Sequence, residues 1–425
     1  MPFLTLLDDR AKIKGSRDPL GLQPIWTRFG RQVVRNLTTV TTTVRGFTVL
    51  ILGLYFAEQA VEQHSAEEAD LLNMFLKFEQ LAAYSRVAWR NSAGQEDEGY
   101  ILGIQRVKKN LQERQDRVSI SAHQDAQILS NQKTYGLWGL YTVAARNSGL
   151  VEPGHSRLTR EAGEFIESEY LPSLDRLASQ IFRFLNQDRD FEPRGKDSSL
   201  GSRLASMLGD TLTKPEIAFY SKHLLFGGVD TSAQARLWQR IRAASLLDAF
   251  SMLELKEIIR QTSATGDLDL AEKLQHIQQV ETVIAPVGRL FNYLLDQNGQ
   301  TIDEVAGVLK KELGSLNHLD PVAFRQALGT MKDIEADIQT RLVGLAEALQ
   351  AGSYAQAIEL MLEQNEAVMK GRGGAAWIRL KNRELEVRFK DERESRKLPE
   401  RDELPNLWIN TYFIDSLKSI GYQLS

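Results

Sequence analysis

The sequence predicts a mainly α, multi-lobed helical protein with a winged-helix-like module and a C-terminal β-hairpin. Apolar residues recur with the period of an α-helix through most of the 425 residues. Hydrophobic residues make up 42% of the chain and charged residues 25%, which is typical of a globular protein that buries a core. Patterns typical of strands are confined to short stretches near residues 150–159 and 376–389.

The first long helices are predicted from apolar periodicity at 45–64 and 65–90. The preceding run Leu37–Val44 is β-branched, but its apolar, helical neighbours favour a turn with a threonine as the N-cap of the next helix. Gly46–Ala57 is the most apolar stretch, and it is shorter than the roughly 20 residues that cross a bilayer. We therefore expect a buried core helix there.

Composition and breaker residues divide the chain into four predicted regions. These are an N-terminal helical region at 1–120, a winged-helix-like module at 121–190, a second helical region at 200–369, and a hairpin with a terminal helix at 370–425. The segment 186–202 is polar and rich in Gly, Ser and Asp, so it is the best candidate for a linker.

Composition also excludes several classes of protein. The chain has no cysteine, which excludes disulfides, thiolate zinc sites, iron–sulfur clusters and cysteine nucleophiles. The net charge is −4, so there is no overall basic field to attract nucleic acid. Acidic Asp8 and Asp9 follow a very short apolar run, which is unlike a signal peptide. We expect a cytoplasmic protein without membrane contact.

Searches for catalytic motifs find none. The sequence contains neither a phosphate-binding P-loop nor the Gly-x-Ser-x-Gly turn that carries a nucleophile. Its six histidines are scattered, with no pair at metal-ligand spacing. We therefore predict no catalytic residue, no metal and no cofactor. Whether the protein is an enzyme stays undecided, with the balance toward a non-enzyme.

The segment Ala144–Gly163 is similar to the second half of bacterial winged-helix domains, in which a helix, two short strands joined by a turn, and a further helix follow one another. In such domains the first of these helices enters the major groove of DNA. Here that helix, Tyr135–Asn147, is mostly apolar. The segment therefore either contacts DNA phosphates or serves protein contacts. The candidate phosphate ligands are His155, Arg157 and Arg160.

Residues 10–45 form a second candidate surface, because they are strongly basic. Such a patch suits phosphates or an acidic partner, and the alternative is a solvated helix face with a frayed end. The candidate residues are Arg28, Arg31, Arg35 and Arg45. The basic residues of 370–401 are interleaved with acidic ones, which favours a solvated, salt-bridged surface over a nucleic-acid site.

Leu20–Phe56 resembles the opening of a group of uncharacterised bacterial helical proteins. Members of that group are often encoded beside helicases and phospholipase-D-like nucleases in anti-phage defence loci. Arg35-Asn36 stand where that group has Pro-Gly before its threonines. The resemblance covers less than a tenth of the chain, and it implies a genomic context without implying an activity. It rests on Leu20, Gly21, Leu37, Thr38, Thr39, Arg45 and Phe47.

The leading hypothesis is a non-enzymatic subunit or adaptor of a bacterial multi-protein system, most simply one of anti-phage defence. It would dock on a protein encoded nearby, such as a helicase, nuclease or ATPase, and contact DNA. One alternative is a nuclease or other hydrolase whose site is built from scattered carboxylates. Another is a winged-helix DNA-binding regulator.

Overall fold

A computed structural model describes the protein over residues 18–64, 70–92, 101–227, 232–244, 250–389 and 396–425. Within these ranges the chain is mainly helical, as the sequence predicts. The first helices are Gln23–Val33 (α1), Val44–His64 (α2), Asp70–Ser92 (α3), Ile104–Glu113 (α4), Gln132–Tyr135 (α5), Leu137–Asn147 (α6), Arg160–Glu169 (α7), Leu171–Leu174 (α8), Ala178–Asn186 (α9) and Ser198–Met207 (α10). They are followed by Lys214–Tyr220 (α11), Ala233–Ala243 (α12), Met252–Ala264 (α13), Leu268–Leu294 (α14), Ile302–Leu313 (α15), Pro321–Gly329 (α16), Ala336–Ala351 (α17), Tyr354–Gly371 (α18) and Ile414–Gln423 (α19).

The strands form antiparallel pairs. Val118–Ile120 (β1) pairs with Arg189–Phe191 (β2), and Ile378–Lys381 (β3) pairs with Glu384–Val387 (β4). The β3–β4 pair is the predicted C-terminal hairpin. Its turn residues Asn382 and Arg383 both have positive φ angles, 53° and 70°. This is the backbone of a two-residue turn whose twist matches that of the strands it joins.

The chain forms two compact units, each discontinuous in sequence. Unit 1 contains the described residues up to Val33 and those from Ala244 to Tyr412, and unit 2 contains those from Val34 to Ala243 and from Phe413 to Ser425. These bounds differ from those of the four predicted regions. Each unit combines two stretches that are distant in sequence, and local changes in composition cannot reveal such a combination.

The predicted linker at 186–202 is a folded part of unit 2. It contains β2 and the start of α10. Phe191 is fully buried, and its ring lies 5.3 Å from that of Phe184 in an edge-on contact. Leu200 is fully buried as well. The prediction failed because two large apolar side chains anchor a segment whose average composition is polar.

Helix α2 carries much of the core of unit 2. Its Phe56 ring stacks on that of Phe78 in α3 at 5.6 Å. The two helices approach closely because α2 has a glycine at the contact, where a Cβ on Gly53 would lie 2.9 Å from the ring of Phe75. By length and composition, Val44–Glu62 could cross a membrane, but 78% of this stretch is buried within the protein. That burial agrees with the predicted core helix.

An ion pair lies buried where α2 begins. Arg45 is 5% exposed, and its guanidinium pairs with Glu216 of α11, which is 2% exposed. The Nε of Arg45 donates to the carbonyl of Gly209 at 2.6 Å, and one Nη donates to that of Thr211 at 2.8 Å. Burying two charges is costly, and it is tolerated only when they are paired and their remaining hydrogen-bonding groups are satisfied.

Glu216 joins this pair to a wider polar network. It accepts from the backbone N–H of Thr213 at 2.7 Å in a capping box at the start of α11, and from the hydroxyl of Tyr170 at 2.7 Å. Burial, together with the charge of Glu216, raises the pKa of Tyr170. The neighbouring Tyr220 donates to Thr48 of α2 at 2.9 Å, and burial raises its pKa to about 12. The network therefore ties α2 to α11 and to the end of α7.

Unit 1 has its own buried carboxyl group on α14, Glu281, which is fully buried. It accepts from the backbone N–H groups of Ile409 and Asn410 at 2.7 and 2.9 Å, and from the Tyr412 hydroxyl at 2.9 Å. Burial raises the pKa of Glu281. This group fixes the segment 409–412 against α14.

We predict that Glu216→Gln destabilises unit 2 by about 3 kcal/mol or more, because it leaves the charge of Arg45 buried without a counter-charge. The measurement is urea denaturation followed by circular dichroism. The matched control is Glu161→Gln, since Glu161 pairs with Lys222 at the surface and is 48% exposed. An exposed pair contributes less than about 1 kcal/mol. Equal, small losses in both variants would contradict the prediction.

Candidate nucleic-acid interface

The predicted arginines of α1 lie in unit 1. The Nε of Arg28 lies 2.5 Å from a carboxylate oxygen of Asp333, and the Arg28 side chain is 32% exposed. Arg31 is half-buried, and burial lowers its pKa. Arg28 therefore already has a carboxylate partner, and part of Arg31 is withdrawn from solvent. The basic positions 10–17 lie outside the described residues.

The other two predicted N-terminal arginines lie in unit 2. Arg35 is exposed, and its backbone N–H donates to the side chain of Gln234 at 3.0 Å. The prediction for Arg45 is wrong, because its guanidinium is buried against Glu216 and cannot reach a phosphate without breaking the core. Arg45 therefore cannot contribute to an exposed basic face.

A short turn links α6 to α7, and we call it the 150–160 turn. Val151 and Leu158 form an isolated antiparallel β-bridge, and Glu152 N–H donates to the carbonyl of Arg157 at 2.8 Å. At the tip Gly154 has a φ of 77°, a conformation that favours glycine. In place of the two predicted strands, a single β-bridge lies between α6 and α7.

Further hydrogen bonds fix both ends of this turn. Thr159 is the N-cap of α7, where its hydroxyl oxygen accepts from Ala162 N–H at 3.4 Å, and the same hydroxyl donates to the carbonyl of Gly149 at 2.9 Å. Arg146 of α6 donates from Nε to the carbonyl of His155 at 3.1 Å. The backbone of the turn is thus held from both flanking helices.

The structure brings three predicted residues, His155, Arg157 and Arg160, together on this one turn, and all three are exposed. The Arg160 side chain is 91% exposed, and its Nε lies 3.5 Å from a carboxylate oxygen of Glu164. Because an exposed pair of this kind contributes little free energy, Arg160 can leave Glu164 for a phosphate at little cost.

A carboxyl group of α2 lies beneath the turn. Glu58 Oε1 accepts from the backbone N–H of Leu158 at 2.8 Å. Burial raises the pKa of Glu58 to about 7, although this hydrogen bond and the charge of Arg157 lower it. A pKa of about 7 implies that Glu58 changes its charge near neutral pH, close enough to Arg157 for the two charges to interact.

Helix α6 presents to solvent a face of uncharged residues, bordered by Arg146, whose Nε donates to the carbonyl of His155. Val143 is 50% exposed, and Gly139 and Asn147 share its face at helical spacing. Tyr135, at the end of α5, is 56% exposed. Bases in the major groove are read mainly by polar and charged side chains. This face is therefore better suited to contact with another protein than to reading bases.

Sequence reasoning missed a groove of about 900 Å³ elsewhere in unit 2. Its Lys77 lies 2.6 Å from a carboxylate oxygen of Asp188 and donates to the carbonyl of Leu185 at 3.1 Å. Although burial opposes it, hydrogen bonds from Lys77 and Ser121 lower the pKa of Asp188. Asp188 lies within the segment that the sequence predicts to be a linker. No local signal could have shown its pairing, because Lys77 is distant in sequence.

Among the described residues, no group of three or more histidine, aspartate or glutamate side chains is arranged to hold a metal ion. Comparisons with protein-family profiles, curated proteins and solved structures find no match to this chain. Its function is therefore inferred from the exposed surfaces of unit 2.

We predict that stability falls as pH rises from about 4.5 to 7, in part through Glu58. The folded state binds the Glu58 proton more tightly than the unfolded chain does, so ionisation favours unfolding within this range. Glu58→Gln should flatten this part of the pH profile of the thermal midpoint. The control is Glu113→Gln at an exposed position. If the Glu58 variant keeps the full wild-type slope, the proposed titration is wrong.

Proposed function

We propose that this protein is a non-enzymatic subunit or adaptor that docks on a nucleic-acid-processing partner and contacts DNA. The observation that carries the proposal is the 150–160 turn, which exposes basic side chains on a backbone held from both sides. The resemblance of Leu20–Phe56 supports a bacterial anti-phage defence system as the setting. A cytoplasmic helicase, nuclease or ATPase encoded nearby is the partner that fits this setting.

The contact with DNA is expected at phosphates. Arginine side chains bind phosphates through charge-assisted hydrogen bonds, and such contacts position a protein on DNA without reading its sequence. Arg157 and Arg160 are exposed and suited to this role. The adjacent α6 lacks the polar and basic face that base reading needs, so binding should be nearly independent of sequence.

The docking contact is expected on the uncharged face of α6 and α5. Val143 and Tyr135 are large apolar side chains that are half or more exposed, in a unit that buries most of its apolar residues. Aromatic and apolar side chains in the centre of an interface carry much of its binding energy. This face lies next to the turn in sequence, so one module can bind a partner and a DNA backbone.

We predict that duplex DNA binding weakens steeply with salt, with a slope of about −0.9 for each phosphate contact. Arg157→Gln with Arg160→Gln should weaken binding for all sequences tested and reduce the slope by about 1 for each arginine removed. Fluorescence anisotropy at several salt concentrations measures both quantities.

The control for this pair of substitutions is Lys133→Gln, an exposed cation of unit 2 outside the turn. A flat salt response of the wild-type protein would remove DNA contact from the proposal. An equal effect of Lys133→Gln would show that general charge, rather than the turn, governs binding.

We predict that Val143→Lys abolishes association with the partner while DNA binding is retained, because the substitution puts a charge in an interface that excludes water. The measurement is co-purification of the tagged protein with each product of the neighbouring genes. Val322→Lys in unit 1 is the matched control, since that valine is 62% exposed on another helix. If the wild-type protein binds none of these products, the adaptor proposal fails.

A further inference from the structure

Unit 2 contains a second groove, of about 910 Å³, which we call the arginine–serine groove. It lies between the segment 172–177 and α10. Among the described residues that line it, none carries a carboxylate, and the polar ones are arginines and serines only. They are Ser173, Arg176, Ser199, Ser202, Arg203 and Ser206.

The two arginines of this groove are exposed, and neither has an ion-pair or hydrogen-bond partner among the described residues. Other arginines of unit 2 are paired, such as Arg194 with Asp116 and Arg117 with Asp190. No carboxylate among the described lining residues offsets these two like charges, which repel each other. An anion that enters the groove relieves this repulsion and gains hydrogen bonds from both guanidinium groups.

The serine hydroxyls add donors along α10. Ser199, Arg203 and Ser206 recur at the spacing of one helix face, and they span about 10 Å at the rise of an α-helix. The hydroxyl of Ser202 donates to the carbonyl of Ser199 at 3.3 Å. Within the part of the chain that the structure describes, the hydroxyls of Ser199 and Ser206 have no hydrogen-bond partner. They are therefore available, with the two arginines, to an extended anion.

We propose that the arginine–serine groove binds the backbone phosphates of a nucleic-acid strand. The row of about 10 Å along α10 is longer than a single phosphate group, so it can meet more than one backbone phosphate of a strand. A groove of this volume exceeds what one inorganic phosphate fills. Arginine and serine are side chains that proteins use for phosphate contacts. The inference rests on the proposed nucleic-acid contact and deepens it, because it adds a binding surface separate from the 150–160 turn.

The test compares the full-length wild-type protein with a variant carrying Arg176→Gln and Arg203→Gln. The probe is a fluorescent single-stranded oligothymidylate, measured by anisotropy at several salt concentrations. Removing two charge-assisted hydrogen-bonding groups should weaken binding about tenfold for each arginine. The slope of the affinity against salt should fall by about 0.7 for each phosphate that is no longer neutralised. Unchanged affinity and slope in the variant would overturn the inference.

Matched variants separate the possible causes. Arg242→Gln removes an exposed arginine of unit 2 outside the groove, and it should leave binding near that of the wild type. Arg176→Lys with Arg203→Lys keeps the charge and should restore much of the affinity. Equal thermal midpoints show that all variants are folded. A loss as large in the Arg242 variant would overturn the inference, since it would assign binding to overall charge.

A further arm distinguishes the source of the phosphate. Inorganic phosphate at ionic strength matched with chloride should displace the oligonucleotide no better than chloride does. Displacement by low phosphate concentrations that depends on Arg176 and Arg203 would identify a site for free phosphate and overturn the proposed strand. If the groove variant binds as the wild type does while the Arg157 and Arg160 variant loses affinity, the groove inference fails and the proposed function stands. If instead the groove variant loses affinity and the Arg157 and Arg160 variant binds as the wild type does, the groove inference is supported and the turn is not a DNA contact.

Discussion

The buried pair of Arg45 and Glu216 is the interaction on which the arrangement of unit 2 depends. Its two charges lie in the core, where only a close counter-charge and hydrogen bonds offset the loss of water. Those hydrogen bonds determine where α11 begins and hold the loop at 209–211 against α2. Through Tyr170 the same network reaches the end of α7, the helix that the 150–160 turn begins. The exposed basic turn is therefore connected to this core through α7, and its own Val151 and Leu158 are buried.

The two units handle a buried carboxyl group in different ways. In unit 2 the carboxylate of Glu216 has a cation beside it. In unit 1 the hydrogen-bond donors to Glu281 that the structure describes are amide and hydroxyl groups, and burial raises the pKa of Glu281. Both carboxyl groups specify the packing around them, because a buried polar group keeps all its hydrogen bonds in only one arrangement of its neighbours. Each fixes a segment that apolar contact alone would leave free to slide.

Much of the fold could be predicted because its signals are local. Helical periodicity in 45–64 identifies α2, and alternation around Asn382 and Arg383 identifies the hairpin. The rest depends on contacts between distant residues. Arg45 and Glu216 are 171 residues apart, so the sequence assigns Arg45 to a basic patch, whereas the structure pairs it with a carboxylate. The segment 186–202 looked like a linker for the same reason, since β1, the strand that pairs with β2, lies far upstream.

The candidate site shows which part of the charge pattern carries information. Arg28 and Arg45 were predicted as phosphate ligands because basic residues are dense in that part of the sequence. In the structure both have carboxylate partners. Arg203 was overlooked because no other basic residue stands near it in the sequence. It also has no carboxylate near it in the sequence, and this is the feature that indicates an unpaired arginine. A helical arginine with a carboxylate three or four residues away is commonly paired, and the neighbours of Arg203 at those positions are serine, leucine and methionine. An arginine with no carboxylate within one helical turn, set among serines, is more available to a phosphate than one in a run of arginines that the fold has already neutralised.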